Sequence, residues 1–345
     1  MKREECARIR NGAKVAVVGG AGFLGSHLVN HLIEDRGCDV VVIDNLCVGK
    51  REFVHKQAHF VHHDITGSEE FLKKLFVSHK VEYVFNYAAW PYIPDSFERP
   101  LQVFNVNANG AIKVINAAHE AGCAAILQVS SAELYGNGQP IETTNDGNEQ
   151  FRTYEPGGRC IETTPVVPHS TYGAAKAAVD YYCQSAWRER GTPVIALRQF
   201  NCVGERETHP YIVPEIISQL AKEPSDACIR LGNNSTRDFQ YAGDAVVMAT
   251  ELLEKGEFGQ VYNMGSEKAI RIYDLAELLA IAWGKKSLEI GQDPNRVRPW
   301  EIWHLQSDNT KLYNVIDSRP MVSLDDALRK TIADFREHNK WSWET

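Results

Sequence analysis

The stretch KVAVVGGAGFLG, residues 14–25, decides how the rest of the chain is read. Its first five residues form a short β-branched run with the look of a buried strand. Glycines follow at once at 19, 20, 22 and 25. Phe23 and Leu24 then open a segment, Phe23–Asp35, in which Leu24, Leu28, Leu32 and Ile33 recur at helical spacing. A strand, a glycine-rich turn and a helix start together make an anion site, because unpaired N–H groups and the helix dipole converge there. Gly19 permits the tight turn, Gly22 lets the backbone approach a pyrophosphate, and Gly25 lets helix pack on strand. Glycine triplets are common by themselves. This one, spaced GxxGxxG, gains its meaning from lying directly after the first strand.

Working outward, a second apolar run, Asp39–Asp44, ends in an acid 19 residues beyond Gly25. A carboxylate there hydrogen-bonds a ribose diol and repels a 2′-phosphate, so NAD is favoured over NADP. Asn45 follows it, and Asp64-Ile65 closes the next run, where an adenine contact is expected. Further runs at Val81–Ala89, Ala124–Ser130, Pro193–Phe200 and Gln260–Met264 alternate with helical segments at Leu101–Ala121 and Tyr172–Arg190. That alternation predicts an α/β fold, a Rossmann-type doubly wound parallel sheet with helices on both faces. Residues 1–200 are read as the NAD-binding domain, and 201–345 as a smaller α/β substrate domain partly interleaved with it. Two stretches break the rhythm. Residues 137–169, rich in Gly, Pro, Thr and Asn, read as a lid-like insertion, and 284–311 reads as loop-rich.

Composition sets the class. The 345 residues carry a net charge of -8, with 43% hydrophobic and 24% charged residues, as in ordinary globular proteins. The acidic balance argues against a general nucleic-acid surface. No stretch approaches the ~18 apolar residues of a membrane span. Residues 1–11 are charged and lack the apolar core of a signal peptide, so a cytoplasmic location is expected. The eight cysteines are scattered with no CxxC pair, which points to free thiols in a reducing compartment. His62-His63-Asp64 has no third ligand at a helpful spacing, and no metal is expected.

A second constellation is Tyr172-Gly-Ala-Ala-Lys176. Positions i and i+4 share a helix face, and an ammonium near a phenol favours the phenolate. The pattern is frequent by chance but becomes specific beside the upstream strand end Gln128-Val129-Ser130-Ser131.

Taken together, these motifs resemble the extended short-chain dehydrogenases/reductases, in their NAD-dependent nucleotide-sugar epimerase and dehydratase branch. The resemblance is carried by Gly19–Gly25, Asn86-Tyr87-Ala88-Ala89, Asn107, SSAELYG at 130–136, Tyr172 with Lys176, LRQFNCVG at 197–204, Arg237-Asp238-Phe239 and Arg298-Pro299-Trp300-Glu301. It runs in order over almost the whole chain. It implies NAD held by the glycine turn, Asp44, Asn45, Asp64, Ile65, Ala88, Asn107, Tyr172 and Lys176. It implies a nucleoside-diphosphate sugar contacted by Tyr92, Asn201 and Tyr211, with Arg237 and Arg298 on its phosphates. Tyr172 would take the C4 hydroxyl proton, Ser131 would bond the same hydroxyl, and a homodimer would form through helices 101–121 and 172–190.

Glu133, two residues past Ser131, separates the branches. A C4 ketone acidifies the C5 hydrogen, and a nearby carboxylate can remove it. A Glu at this place resembles the dehydratases and the uronic acid decarboxylases, whereas simple 4-epimerases often carry an uncharged residue. The expectation is therefore a nucleotide-sugar dehydratase. A 4-epimerase or a UDP-uronic acid decarboxylase stands as alternative, and a non-catalytic NAD-binding protein comes last. Departures from the family pattern bear on this choice. Ala132 stands where dTDP-glucose dehydratases carry an acid, Ser131 replaces the more usual threonine, and Cys202-Val203-Gly204-Glu205 replaces the common xYGP ending.

Overall fold

A computed structural model describes residues 8–137, 158–207, 211–297 and 300–338, with the backbone of 142–143 and 149–150. The glycine-rich stretch lies where strand β1 (Lys14–Val18) passes into helix α1 (Phe23–Asn30), which runs on through a π-helical turn, His31–Asp35. Then come β2 (Asp39–Asp44), β3 (His59–His62), helix α2 (Glu69–Ser78) and β4 (Tyr83–Asn86). The long helical segment divides into α3 (Pro100–Phe104) and α4 (Ala111–Glu120), joined by a π-helical turn at Asn105–Gly110. β5 (Ala125–Val129), α5 (Thr171–Arg190) and β6 (Val194–Gln199) complete the first half. Ser170 caps α5 by accepting from Gly173 N at 3.0 Å, and Gly191, at φ 67°, ends it in the left-handed region.

After β6 come the strands β7 (Asn201–Val203), β8 (Asp226–Leu231), β9 (Thr236–Tyr241), β10 (Val261–Met264), β11 (Ala269–Arg271) and β12 (Ser287–Gln292). Helices α6 (Ile212–Lys222), α7 (Ala242–Lys255), α8 (Ile272–Trp283) and α9 (Leu324–His338) lie among and after them. Seven parallel strands form one sheet in the order β10-β6-β5-β4-β1-β2-β3. This is the doubly wound arrangement expected from the sequence. The order reverses between β1 and β4, and in such sheets the ligand crevice opens at the carboxyl ends of the strands there. Alternate residues of β1 serve opposite faces. Val15 and Val17 join α1 and α7 in one apolar core, while Ala16 and Val18 join α2, α4 and α5 in the other.

β10 and α7 belong to this layer although they follow residue 201 in sequence. A third core gathers α6, α8, α9 and the small sheets β11-β9-β7 and β8-β12. The segment 284–311, read as loop-rich, contains β12, paired in parallel with β8 from Asp226↔Ser287 to Leu231↔Gln292. Leu288 and Ile290 alternate with exposed neighbours, a pattern too short and too interrupted by Gly291 to stand out in sequence. Of the lid-like insertion, 138–141, 144–148 and 151–157 lie outside the described residues. Its ends are stitched to the 301–308 segment. Asn137 Nδ2 donates to Glu301 O at 3.1 Å, Trp303 N donates to Asn137 Oδ1 at 2.9 Å, and Cys160 N donates to Gln306 O at 2.8 Å.

Candidate active site

One cavity of ≈1050 Å³ runs from the glycine turn across the strand ends to the small sheets. At its first end, Gly19 has φ +81°, and a Cβ there would lie 2.5 Å from Ala88 N. Gly25 is packed as tightly, since its Cβ would meet Gly19 O at 2.1 Å. Gly22 starts α1 with no side-chain cap, as an anion-binding helix start requires. Asp44 is held against this turn, where its Oδ2 accepts from Ala21 N at 3.0 Å and its Oδ1 from Leu46 N at 2.8 Å. Burial pushes the Asp44 carboxyl up, and those two amides oppose the shift. Asn45 Nδ2 donates to Asp64 Oδ2 at 2.9 Å, so the two are coupled along the wall they share with Ile65. Phe23, Leu24 and Ala88 complete this end. Glycine backbone, uncapped helix start and ribose-height carboxylate fit NAD.

Asn107 departs from the expected cofactor contact. It is 1% exposed and off the cavity wall, because its Oδ1 accepts from Trp90 N at 2.7 Å and its Nδ2 donates to Trp90 O at 2.9 Å. Its amide is spent holding the main chain that carries Trp90 and Tyr92 along the cavity.

In the middle of the cavity, β5 delivers Ser131 and the first turn of α5 delivers Tyr172, which hydrogen-bond through their side chains. Ser131 Oγ also accepts from Glu133 N at 3.2 Å, which turns the chain into a short 3-10 segment, Ala132–Tyr135, and sets Glu133 on the wall. Burial pushes the Tyr172 phenol up to about 12, with the Ser131 hydrogen bond pulling it back and Glu133 adding to the rise. Lys176 does not supply the lowering expected of it. Its Nζ donates to Val129 O at 3.0 Å and lies 5.8 Å from the Tyr172 ring centroid, and burial pushes Lys176 itself down to about 8.

At the far end, Asn201, Tyr211 and Arg237 line the wall, while Arg298 lies outside the described residues. Arg237 is buried against Glu301, with Nη2 donating to Oε1 at 2.9 Å and Nη1 donating to Ile302 O at 2.7 Å. Glu301 also accepts from Asn233 Nδ2 at 3.1 Å. Sequence reasoning placed Arg237 on a phosphate and did not foresee this partner, although Glu301 closes the Arg298–Glu301 motif. It also missed Arg296, which pairs with Glu215 and Asp293 at 2.8 and 3.2 Å on the same wall. Two further lining residues carry buried oxygens with no hydrogen-bond partner among the described residues, Gln199 Oε1 and Glu207 Oε2. Nothing in the spacing announced either one.

The model of the family described as "NAD dependent epimerase/dehydratase family" matches residues 15–265. A human protein named dTDP-D-glucose 4,6-dehydratase is 29% identical over 342 residues, covering 96% of this chain and 92% of that protein. Among solved structures, a UDP-glucose 4-epimerase from Thermotoga maritima with UDP-glucose superposes with TM-score 0.81 at 29% identity, over 94% of this chain and 99% of that one. A UDP-glucose 4-epimerase from Thermus thermophilus in complex with NAD gives TM-score 0.81 at 27% identity, over 94% and 99%.

Proposed function

The chain belongs to the NAD-dependent epimerase/dehydratase family, and from that premise we propose that it is a nucleotide-sugar dehydratase working through transient oxidation at C4 and proton removal at C5. When bound, NAD supplies hydride acceptance and return. Tyr172 Oη takes the C4 hydroxyl proton, and Ser131 Oγ holds that hydroxyl in line. Lys176, anchored on Val129 O, fixes the helix face that carries Tyr172. Glu133 removes the C5 proton once the C4 carbonyl has acidified it and passes that proton to the C6 hydroxyl, which leaves as water and gives a C5–C6 double bond for the returning hydride and a solvent proton to reduce. On the ligand's far side, Arg237 and Arg298 meet the phosphates, with Tyr92, Asn201 and Tyr211 along the nucleotide and sugar. The small-sheet region of 201–345 serves as the substrate side.

The observation that carries this reading is Glu133 on the cavity wall, its carboxylate within electrostatic reach of the Tyr172 phenol. A 4-epimerase is the second reading, favoured by Ala132, which leaves the position beside Glu133 without an acid. Incubating the NAD-loaded protein with a panel of nucleotide sugars and weighing the products separates them. Loss of water supports the dehydratase, and a new isomer of unchanged mass supports the epimerase. Loss of carbon dioxide from a uronic acid would mark a decarboxylase, and no turnover would sink the enzyme reading.

The expected homodimer is supported by Leu101 on α3 and Tyr181 on the adjoining α5, 85% and 54% exposed. A cytoplasmic location is supported by the seven described cysteines, all free thiols. No described helix is long and apolar enough to cross a membrane.

A further inference from the structure

We propose that Glu207 is the residue through which the cavity reads the sugar, its carboxyl exchanging hydrogen bonds with a ring hydroxyl of the bound nucleotide sugar. The inference rests on the nucleotide-sugar reading above and adds a contact that none of the family motifs supplies. Glu207 is 6% exposed, yet it lines the cavity. Its Oε2 has no hydrogen-bond partner among the described residues, and no ion pair among them reaches it. Leaving a buried carboxyl oxygen unpaired costs free energy, and proteins seldom leave such a group without a partner that arrives later. Glu207 is thus a side chain waiting for one.

Its surroundings say what that partner is. Tyr211 lies within electrostatic reach of Glu207 on one side and of Tyr172 on the other, so Glu207 stands one side chain away from the phenol at which the sugar reacts. Cys202, on β7, lies within electrostatic reach of Glu207 as well. The backbone that leads into Glu207 is tied down. Glu205 O meets His27 Nε2 at 2.8 Å, and Arg206 N donates to Asp334 Oδ2 at 2.9 Å. Burial pushes the Glu207 carboxyl well above the usual carboxylate range. Its unpartnered oxygen sits where a sugar hydroxyl, which both donates and accepts, can meet it. Gln199 Oε1, a second unpartnered oxygen on the same wall, also calls for a ligand rich in O–H donors. A phosphate, which only accepts, leaves Gln199 Oε1 without a partner.

The test compares nucleotide sugars with their bare diphosphates on the NAD-loaded protein. Calorimetry gives affinities for UDP-glucose against UDP and for dTDP-glucose against dTDP, in the parent, Glu207→Leu and Glu207→Gln. In the parent, the better-matched sugar binds more tightly than its diphosphate. Glu207→Leu is expected to lose about tenfold in sugar affinity, the worth of one buried hydrogen bond, while diphosphate and NAD affinities stay put. Glu207→Gln, which can still donate and accept, keeps sugar affinity within about threefold. A second readout needs no apolar substitution. UDP-glucose or dTDP-glucose, but not the bare diphosphate, should shift a carboxyl stretching band in the parent's infrared difference spectrum, and Glu207→Gln should lack that band. Unchanged sugar affinity in Glu207→Leu, no ligand-dependent band, or a loss confined to NAD overturns the role of Glu207 alone. A parent that binds neither sugar more tightly than its diphosphate overturns the nucleotide-sugar reading together with it.

Discussion

The two ends of the cavity are built in different ways. The Gly19–Asp44 end is made of backbone, with a positive-φ glycine, an uncapped helix start and a carboxylate fastened by two main-chain amides. The Arg237–Glu301 end is made of side chains drawn from Asn233, Arg237 and Glu301, joined by long-range hydrogen bonds and backed by Asn137 on the Glu301 main chain. Backbone geometry is dictated by local sequence, so it tolerates little change and leaves a compact signature. Side-chain walls can be rebuilt from many positions, which suits an end that must tell one sugar nucleotide from another.

The largest effect should come from between the two ends. Tyr172→Phe keeps the ring packed but removes the acid/base, so turnover should fall by about 10²–10⁴-fold while NAD binding and fold persist. Survival of activity within a fewfold would show that the middle of the cavity works without this phenol.

Next is the side-chain end. Glu301→Gln leaves the Arg237 guanidinium, 8% exposed, buried without its counter-charge. Breaking a buried pair costs about 3–5 kcal/mol, so thermal unfolding should move down sharply and nucleoside-diphosphate affinity should fall, with NAD affinity the least affected. An unfolding midpoint within a degree or so of the parent's would mean that the wall is held by other contacts.

The smallest effect is expected at the backbone end. Asp44→Ala should weaken NAD by about tenfold and narrow its preference over NADP, because one ribose contact and the repulsion of a 2′-phosphate are lost together. Competitive binding of the two dinucleotides checks this, and equal affinity of the parent for both would contradict it.

What the sequence reveals follows the same divide. β2, Asp39–Asp44, matches its apolar run residue for residue, and the turn at Gly19–Gly25 sits where its spacing put it. Both signals are local and periodic. Asn107 lies in a motif that names it, but its use on the Trp90 main chain depends on a π-helical turn and a loop 17 residues away. Lys176 sits on the expected face of α5, yet the direction of its ammonium is set by Val129 O on β5, which helical spacing does not encode. The pairing of Arg237 with Glu301 spans 64 residues. Glu207 leaves no trace in any pattern, since a buried carboxyl without a partner is visible only when its surroundings are.

The central claim, that Glu133 removes a proton from C5 of a sugar oxidised at C4, is tested most directly by the fate of the C5 hydrogen in heavy water. The NAD-loaded parent and Glu133→Gln are incubated with the nucleotide sugar that the panel identifies, and product and recovered substrate are read by mass and NMR. The account predicts deuterium at C5 with loss of water in the parent. In Glu133→Gln, dehydration and exchange should both fall by about 10²–10⁴-fold, the usual worth of a general base. A parent product that keeps its original C5 hydrogen, with unchanged mass and an inverted C4 centre, would contradict the account and make the protein a 4-epimerase.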